Sequence, residues 1–463
     1  MIHPTRIIIS LLLIVLTASC SQAQDANTRV SQHLGEANWF ALEREMRSTA
    51  RDSLAPVLRD MADALVCHYF NRPTEAVKQL RRLVEHRLGE LGPENAFNMS
   101  ALIPLNLARQ GRYSEAARTA QSIASQARRA ADSTDVARQL RSLAAKLDHM
   151  ASYYGAIGAV GDICRPAYDT SDDQRVAFFF DASVHRKGQG AFLAMNGMIN
   201  GHPVTVNLDT GAGMNFLSSA DADRLGLIRL NSYIDAQGTG AQRAQIAVAD
   251  TLQLGRGMAW TNVVFLVLDV STGDSLTDSR LSAHMAPTIG VPMMRAMGEM
   301  RISFADKVIY VPAKSTTPKD AEPNMYITDS ETINLQAADQ QSGQPLTMHF
   351  DTGAWQLMFT PSWYRQHRAE TEQKGVADSL RLGGVGGSVM QHAWLLPHCA
   401  VAVGGSTLNA PAMVATGTDL HTAQHIDEGV LFAPGLQGVI GLEPLASCRE
   451  AVVNMRRMRL TVK

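Results

Sequence analysis

The tetrad Asp209-Thr210-Gly211-Ala212 occurs a second time in this chain, as Asp351-Thr352-Gly353-Ala354. Each copy follows a segment in which apolar residues alternate with other residues, the pattern of a half-buried β-strand. Each also precedes a second apolar segment, at residues 216–217 and 357–359. An acidic turn between two strands, repeated in similar settings, predicts a duplicated half-site whose two aspartates meet.

The landmarks after the two tetrads follow in the same order. A short helix comes first, capped by Ser218 in one copy and by Thr360 in the other. A glycine-rich segment comes next, and an apolar-apolar-glycine segment and a last pair of strands complete each copy. The apolar-glycine landmarks are Ile289, Gly290, Ile440 and Gly441. Because a single triplet could arise by chance and this series could not easily do so, the order indicates an internal duplication.

Over about residues 185–463, this pattern resembles the aspartic peptidases of the retroviral and pepsin type, especially bacterial retropepsin-like domains. The resemblance implies a bilobal acid-protease β-barrel fold with Asp209 and Asp351 as the catalytic pair. It further implies that the two threonines lock the turns together and that each landmark packs beside its turn. The supporting turn residues would be Thr210, Gly211, Ala212, Thr352, Gly353 and Ala354. The flap candidates would be Gly238, Gly240, Gly384 and Gly386. No metal or cofactor is implied.

Peptide hydrolysis by two carboxyl groups requires that the groups lie close together. Such a pair cannot ionise twice easily, so it shares one proton. One carboxylate can then accept a proton from water while the other carboxyl donates one to the peptide carbonyl. Ala212 and Ala354 carry no hydroxyl that would favour the ionised form. We therefore expect the shared proton to be retained up to mildly acidic or near-neutral pH.

Other functions fit the same residues. Asp and Gly are common turn formers, so one Asp-Thr-Gly alone could be an ordinary turn. The main alternative is a non-catalytic envelope binding or scaffold protein on a retired protease fold, with the helical region as its partner site. A further alternative is that each lobe pairs with a lobe of another molecule. Two intact aspartates favour an aspartic endopeptidase that acts on peptides or proteins.

The region before the duplication reads as helical. Apolar residues recur at helical spacing over residues 28–160, and two similar helix-turn-helix segments lie at 70–76 and 110–116. They resemble tetratricopeptide units only loosely, since their offset exceeds the standard period, and a protein partner could bind there. The predicted fold class is thus multidomain, α followed by all-β. Its parts are a helical hairpin domain (28–160), a linker (161–177), a first lobe (178–312), a second linker (313–326) and a second lobe (327–463).

Residues 1–23 predict export. Arg6 precedes a short apolar run and a group of small residues, as in a secretory signal. The segment before Cys20 resembles a lipobox, which predicts a lipoprotein of the bacterial cell envelope with Cys20 lipidated. Simple cleavage after Ala23 is the alternative. If Cys20 is lipidated, attachment to the membrane depends on that lipid anchor alone.

Cysteines, histidines and charge limit the remaining possibilities. In an exported chain, Cys67 with Cys164 and Cys399 with Cys448 could form disulfides, with free thiols as the alternative. His392 and His398 show no regular metal-ligand spacing. The formal net charge of −2 gives no support to nucleic-acid binding, which normally needs a basic face.

Overall fold

The computed structural model describes residues 21–131, 136–182, 190–269 and 285–463. The chain divides into a helical unit and a β unit, which meet in sequence between Gly161 and Asp162. Most of the predicted signal segment, including Cys20, lies outside the described residues.

In the helical unit, neighbouring helices pack through buried aliphatic side chains such as Leu80, Leu107 and Leu147. Gly92 has a non-helical backbone and is followed by Pro93, so the longest helix is kinked there. Across the described ranges, no helix combines the length and apolarity needed to cross a bilayer. The elements are α1 Ser21–Gly35, α2 Trp39–Ser48, a 3₁₀ turn at Arg51–Ser53, α3 Pro56–Tyr69, α4 Pro73–Arg109, α5 Tyr113–Ala131 and α6 Ala137–Gly158.

Three turns of the helical unit have the same backbone pattern. In each, a residue with positive φ precedes an N–H that donates to the carbonyl five residues back, the hydrogen bond that closes a helix end. The donors and acceptors are Asn38 to His33, Arg72 to Cys67 and Arg112 to Leu107, at 2.9, 2.8 and 3.0 Å. The sequence indicated the second and third turns but not the first. Thr74 does not cap the next helix, because α4 already begins at Pro73 and has no side-chain cap.

The β unit has two halves whose elements follow in the same order. In the first half (residues 162–312) the elements are β1 Arg165–Pro166, β2 Gln174–Asp181, β3 Phe192–Ile199, β4 His202–Leu208, β5 Phe216–Leu217, α7 Ser219–Arg224, β6 Ile228–Gln237, β7 Ala241–Leu254, β8 Met258–Val267, β9 Thr288–Ile289, α8 Val291–Met297, β10 Glu299–Ser303 and β11 Val308–Val311. Asn200 and Gly201, both with positive φ, form the turn between β3 and β4.

The second half (residues 325–463) repeats this series after a connecting segment at 313–324. Its elements are β12 Met325–Ile327, β13 Ile333–Asp339, β14 Pro345–Phe350, β15 Leu357–Phe359, α9 Pro361–Lys374, β16 Val376–Gly384, β17 Gly387–Val403, β18 Ser406–Asp419, α10 Glu428–Leu431, β19 Gly438–Ile440, α11 Leu442–Ala446, β20 Glu450–Asn454 and β21 Arg459–Val462. Ser218 caps α7 and Thr360 caps α9, as predicted.

The strands form two sheets with corresponding pairings. The larger has 13 strands in the order β21-β20-β10-β11-β2-β3-β4-β9-β5-β8-β7-β6, with β1 paired to β8. The smaller has eight, in the order β12-β13-β14-β19-β15-β18-β17-β16. The parallel pairs β4–β9 and β5–β8 of the first half correspond to β14–β19 and β15–β18 of the second. The last two strands of the chain join the larger sheet through β10 and thus tie the two halves together.

A buried carboxylate supports this shared sheet. Glu299 on β10 is 4% exposed and accepts an N–H from Asn454 on β20 at 2.6 Å. It also accepts hydrogen bonds from Ser315, Thr316 and Thr317 of the connecting segment. Burial alone would raise the pKa of Glu299, but these donors outweigh it and lower the pKa to about 2. One side chain therefore holds β10, β20 and the connecting segment together.

Two predictions about connections were incomplete or wrong. The predicted linker at 161–177 contains β1 and the start of β2, and β1 pairs with β8. The predicted disulfides are not formed, because all four cysteines are free. Cys164 lies against the sulfur of Met293, and Cys448 lies near the Pro444 carbonyl. Cys399 pairs across the sheet with Ala410, and burial raises the pKa of Cys67 and of Cys399 to about 11.

The Glu299→Gln variant tests the buried carboxylate. The folded-state pKa of about 2 lies below the ordinary value of 4.5, so ionised Glu299 stabilises the fold above about pH 4.5, and this stabilisation is lost as the pH falls towards 2. We expect the variant to lose about 3 kcal/mol of unfolding free energy at pH 7 and progressively less in acid. Urea denaturation at several pH values measures this.

The matched control is Glu322→Gln, which changes an exposed acid of the connecting segment. This control should unfold like the unsubstituted protein. A loss for Glu299→Gln that is equally large at pH 7 and pH 2.5 would contradict the proposed origin of the effect.

Candidate active site

The two tetrads form the turns that follow β4 and β14. In each half, the aspartate N–H donates to an isoleucine carbonyl on the adjacent parallel strand. Asp209 N donates to Ile289 O at 3.0 Å, and Asp351 N donates to Ile440 O at 3.1 Å. The parallel registers of β4–β9 and β14–β19 fix these bonds. Both turns therefore start from the same backbone position in their halves.

The landmark glycines lie directly behind the turns. The carbonyl of each tetrad alanine accepts an N–H from the residue after the landmark glycine, at 2.9 Å in both halves. A Cβ on Gly290 would overlap the backbone of Ala212, and one on Gly441 would overlap the backbone of Trp355. Any side chain at these two positions would displace the turn, which explains the apolar-glycine sequence in physical terms.

The threonines of the two turns cross between the halves. The Thr210 hydroxyl donates to Phe350 O at 2.9 Å and accepts from Thr352 N at 2.9 Å. The Thr352 hydroxyl donates to Leu208 O at 3.1 Å and accepts from Thr210 N at 3.0 Å. Both threonines are buried, at 0% and 1% exposure. Each hydroxyl thus satisfies two backbone groups, one donor and one acceptor, of the opposite half.

This crossing brings the two carboxyl groups together. A Cβ on Gly211 would overlap the Asp351 carboxyl, and one on Gly353 would overlap the Asp209 carboxyl. Asp209 Oδ1 accepts from Gly211 N at 2.8 Å and from Gly353 N at 3.2 Å. Asp351 Oδ1 accepts from Gly353 N at 2.9 Å and Ala354 N at 3.1 Å. The Gly353 amide therefore lies between both carboxyls.

The electrostatics of this pair favour retention of a proton. Burial raises the pKa of the Asp209 carboxyl well above its usual value, and the negative charge of Asp351 raises it further. A hydrogen bond between the two carboxyls acts in the same direction, while the N–H groups of Gly211 and Gly353 oppose it. Two carboxyls so arranged can share one proton, so one acts as acceptor and the other as donor.

Two hairpin tips meet within the β unit. The tip between β6 and β7 contacts the tip between β16 and β17, where Gly240 N donates to Val385 O at 3.0 Å. The Thr239 hydroxyl donates to Gly387 O at 2.6 Å. A Cβ on Gly240 would overlap Gly386, so the tips approach backbone to backbone. The structure places all four flap candidates at this junction: Gly238, Gly240, Gly384 and Gly386.

Two polar residues of this region were not singled out from the sequence. Asn215 is 2% exposed; its side chain donates to Val264 O and accepts from Gly290 N, both at 2.9 Å. His349 precedes Asp351 by two residues on β14, and its Nδ1 lies 3.3 Å from Asn334 Oδ1. The available signal was the same for both, a polar side chain within an apolar strand segment next to a tetrad.

Within the ranges that the structure describes, no group of three or more His, Cys, Asp or Glu side chains is placed to hold a metal ion.

Comparison with known proteins gives a partial match. A family model described as aspartyl protease matches residues 195–286, which include the first tetrad and end before its landmark. This match supports an aspartyl protease. No curated protein matches the chain. Among solved structures, the chain is similar to the crystal structure of a retropepsin-like aspartic protease from Rickettsia conorii, with 19% identity over 30% of this chain and 89% of that chain and a TM-score of 0.20.

Replacing Thr210 by Val tests the crossed hydrogen bonds. Valine keeps the shape of threonine but leaves Phe350 O and Thr352 N without their buried partner. Each such loss costs about 1–3 kcal/mol, so we expect the β unit to lose about 3 kcal/mol of unfolding free energy. Denaturation followed by tryptophan fluorescence measures this, since every tryptophan except Trp39 lies in the β unit.

Thr210→Ser is the matched control, because it keeps the hydroxyl and removes only a methyl group. It should recover most of the lost stability. Equal stability of the valine and serine variants would refute the role of the hydroxyl.

Proposed function

We propose that this protein is an aspartic endopeptidase that hydrolyses peptide bonds between Asp209 and Asp351. The observation that carries this proposal is the meeting of two Asp-Thr-Gly turns through crossed threonine hydrogen bonds, with each turn glycine against the opposite carboxyl. The aspartyl protease match over residues 195–286 supports the same chemistry. Both half-sites belong to one chain, so catalysis would not need a second copy.

In the proposed reaction, the two carboxyls act on a water molecule and a peptide carbonyl. The ionised carboxyl takes a proton from water as the water oxygen bonds to the carbonyl carbon, and the protonated carboxyl donates to the carbonyl oxygen. The resulting tetrahedral diol then loses its C–N bond: the carboxyl that took the proton from water gives it to the departing nitrogen, and a diol hydroxyl returns its proton to the other carboxyl as the new C=O bond forms. The pair thereby returns to its singly protonated state. Its apparent pKa values belong to both residues together.

The surrounding residues have supporting roles in this proposal. The raised pKa of Asp209 and the absence of a hydroxyl at Ala212 and Ala354 suit action in mildly acidic or near-neutral solution. The two hairpin tips would cover the bound peptide and would have to separate for its entry. The crossed threonines keep the carboxyls at a fixed separation, which preorganises the site.

A non-catalytic scaffold is less well supported. A retired site would be free to lose either aspartate, either threonine or either turn glycine, yet all six are present. Their hydrogen bonds are also made in both halves. A purely structural turn would gain nothing from a second carboxyl beside Asp209, whose ionised form burial and the charge of Asp351 disfavour.

Replacement of each aspartate by asparagine tests the proposed function. Asp209→Asn and Asp351→Asn should each lower the cleavage rate of a peptide library by at least about 10³-fold, because an amide can neither accept the proton from water nor share one. Mass spectrometry of the digested library measures the rate and also reveals the cleavage sites.

Asp169→Asn provides the matched control. Asp169 begins the near-copy Asp169-Thr170-Ser171, which lies in an exposed loop rather than behind a buried strand. This variant should cleave at the unsubstituted rate. Full activity in either Asp209→Asn or Asp351→Asn would rule out the paired mechanism.

We further propose that the protein is exported to the bacterial cell envelope and anchored by a lipid on Cys20. The signal-like residues 1–23 and the lipobox-like segment support this. When the chain is produced in a bacterium, metabolic labelling with a palmitate analogue should mark it, and Cys20→Ser should remove the label. A soluble, unlabelled mature chain that begins after Ala23 would favour simple secretion instead.

A further inference from the structure

The two halves of the active site differ at the residue two positions before each aspartate. The first half has Asn207-Leu208-Asp209, and the second has His349-Phe350-Asp351. Residues two apart on a strand project from the same face, about 7 Å apart along the chain. The half-sites therefore match in backbone and threonine bonds but differ in one titratable side chain beside the pair.

The strands around this position also differ between the halves. Asn207 lies opposite Ala194 on β3, whereas His349 lies opposite Asn334 on β13. The side-chain amide of Asn334 is oriented by its Nδ2, which donates to the Tyr326 hydroxyl at 2.9 Å. The Oδ1 of Asn334 therefore faces His349 Nδ1, 3.3 Å away. A carbonyl oxygen can only accept, so Nδ1 carries the hydrogen in this arrangement. Nε2 is then the nitrogen at which His349 gains or loses a proton.

Among the described residues packed against His349, Asp351 supplies the charge. β13 contributes Asn334 and the Ile333 backbone, and β19 contributes Val439, which is apolar. Tyr326, reached through Asn334, stays neutral because burial raises its pKa to about 12; Asp329 is the charged group near it. Burial lowers the pKa of His349, while Asp351 and the Ile333 carbonyl oppose that shift. Burial therefore favours the neutral ring of His349, and the charge of Asp351 favours the cation.

We propose that His349 is a positioning residue for the aspartate pair, which in acidic solution places a positive charge beside Asp351 and so holds the pair's single negative charge on that residue. Asp209 then keeps the proton and is the donor to the peptide carbonyl. The inference rests on the proposed function and assigns different roles to the two half-sites.

A pH profile follows from this arrangement. The acid limb of kcat/KM marks the pH at which the pair takes up a second proton. A cation beside Asp351 opposes that uptake and moves the acid limb to lower pH. The basic limb, where the pair loses its last proton, lies where His349 is neutral and is left unchanged. Removal of the histidine should therefore affect one limb alone.

The His349→Asn variant tests this, because it copies the residue that the first half has at Asn207. We expect the acid limb of kcat/KM to move up by about one pH unit, the order expected for one unit charge at this separation, with the basic limb and the rate near neutrality retained. His349→Gln is a second variant, should asparagine impair folding as judged by thermal melting. An acid limb that stays in place in a folded variant overturns the proposal.

A second measurement does not depend on activity. NMR titration of the His349 ring in the full chain gives its pKa directly. In Asp351→Asn, loss of the neighbouring charge should lower that pKa, by the reciprocity of two interacting titrations. An unchanged His349 pKa overturns the inference. If the unsubstituted protein cleaves no peptide, the proposed function fails, and this titration still decides whether His349 and Asp351 interact.

Discussion

Two carboxyl groups that repel each other have to be held side by side, and this constraint governs the architecture of the β unit. Burial and the negative charge of Asp351 disfavour the ionised form of Asp209, so two ionised carboxyls would oppose this closeness. The two turns are held together by the crossed hydroxyls of Thr210 and Thr352, each of which satisfies backbone groups of the other half. In a buried site, neither half can withdraw without leaving unpaired polar groups.

Backbone pairing in the rest of the β unit also holds the two halves together. Parallel pairing of β4 with β9 and of β14 with β19 sets the depth of each turn, and the landmark glycines allow the following backbone to pass close behind. The larger sheet includes strands from both halves, so its hydrogen bonds resist separation far from the turns. Glu299 adds the connecting segment to the same junction. Backbone pairing therefore sets the position of the turns that carry the aspartates.

The sequence was informative where a local pattern determines local structure. The turn at Asn200-Gly201, the caps at Ser218 and Thr360, and the β-strands around both tetrads follow from residue preferences alone. The resemblance to aspartic peptidases implied that Gly290 and Gly441 pack beside the turns, and both lie there. Such local patterns do not predict contacts between distant segments. The residues around Glu299 do not predict its hydrogen bond with Asn454, and those around Cys399 do not predict that it lies opposite Ala410 rather than a second cysteine. The polar pair of His349 and Asn334 was missed for the same reason, since a cross-strand register has to be known first.

The position of β20 and β21 has a consequence for how the molecule is made. These strands are made after the whole of the first half, yet β20 covers the edge of β10, which belongs to that half. Until they emerge, the first half has an exposed strand edge, and exposed edges readily pair with other chains. Residues 450–462 thus complete the larger sheet of the β unit. A growing chain therefore lacks the complete shared sheet until residues 450–462 have been made, long after both tetrads.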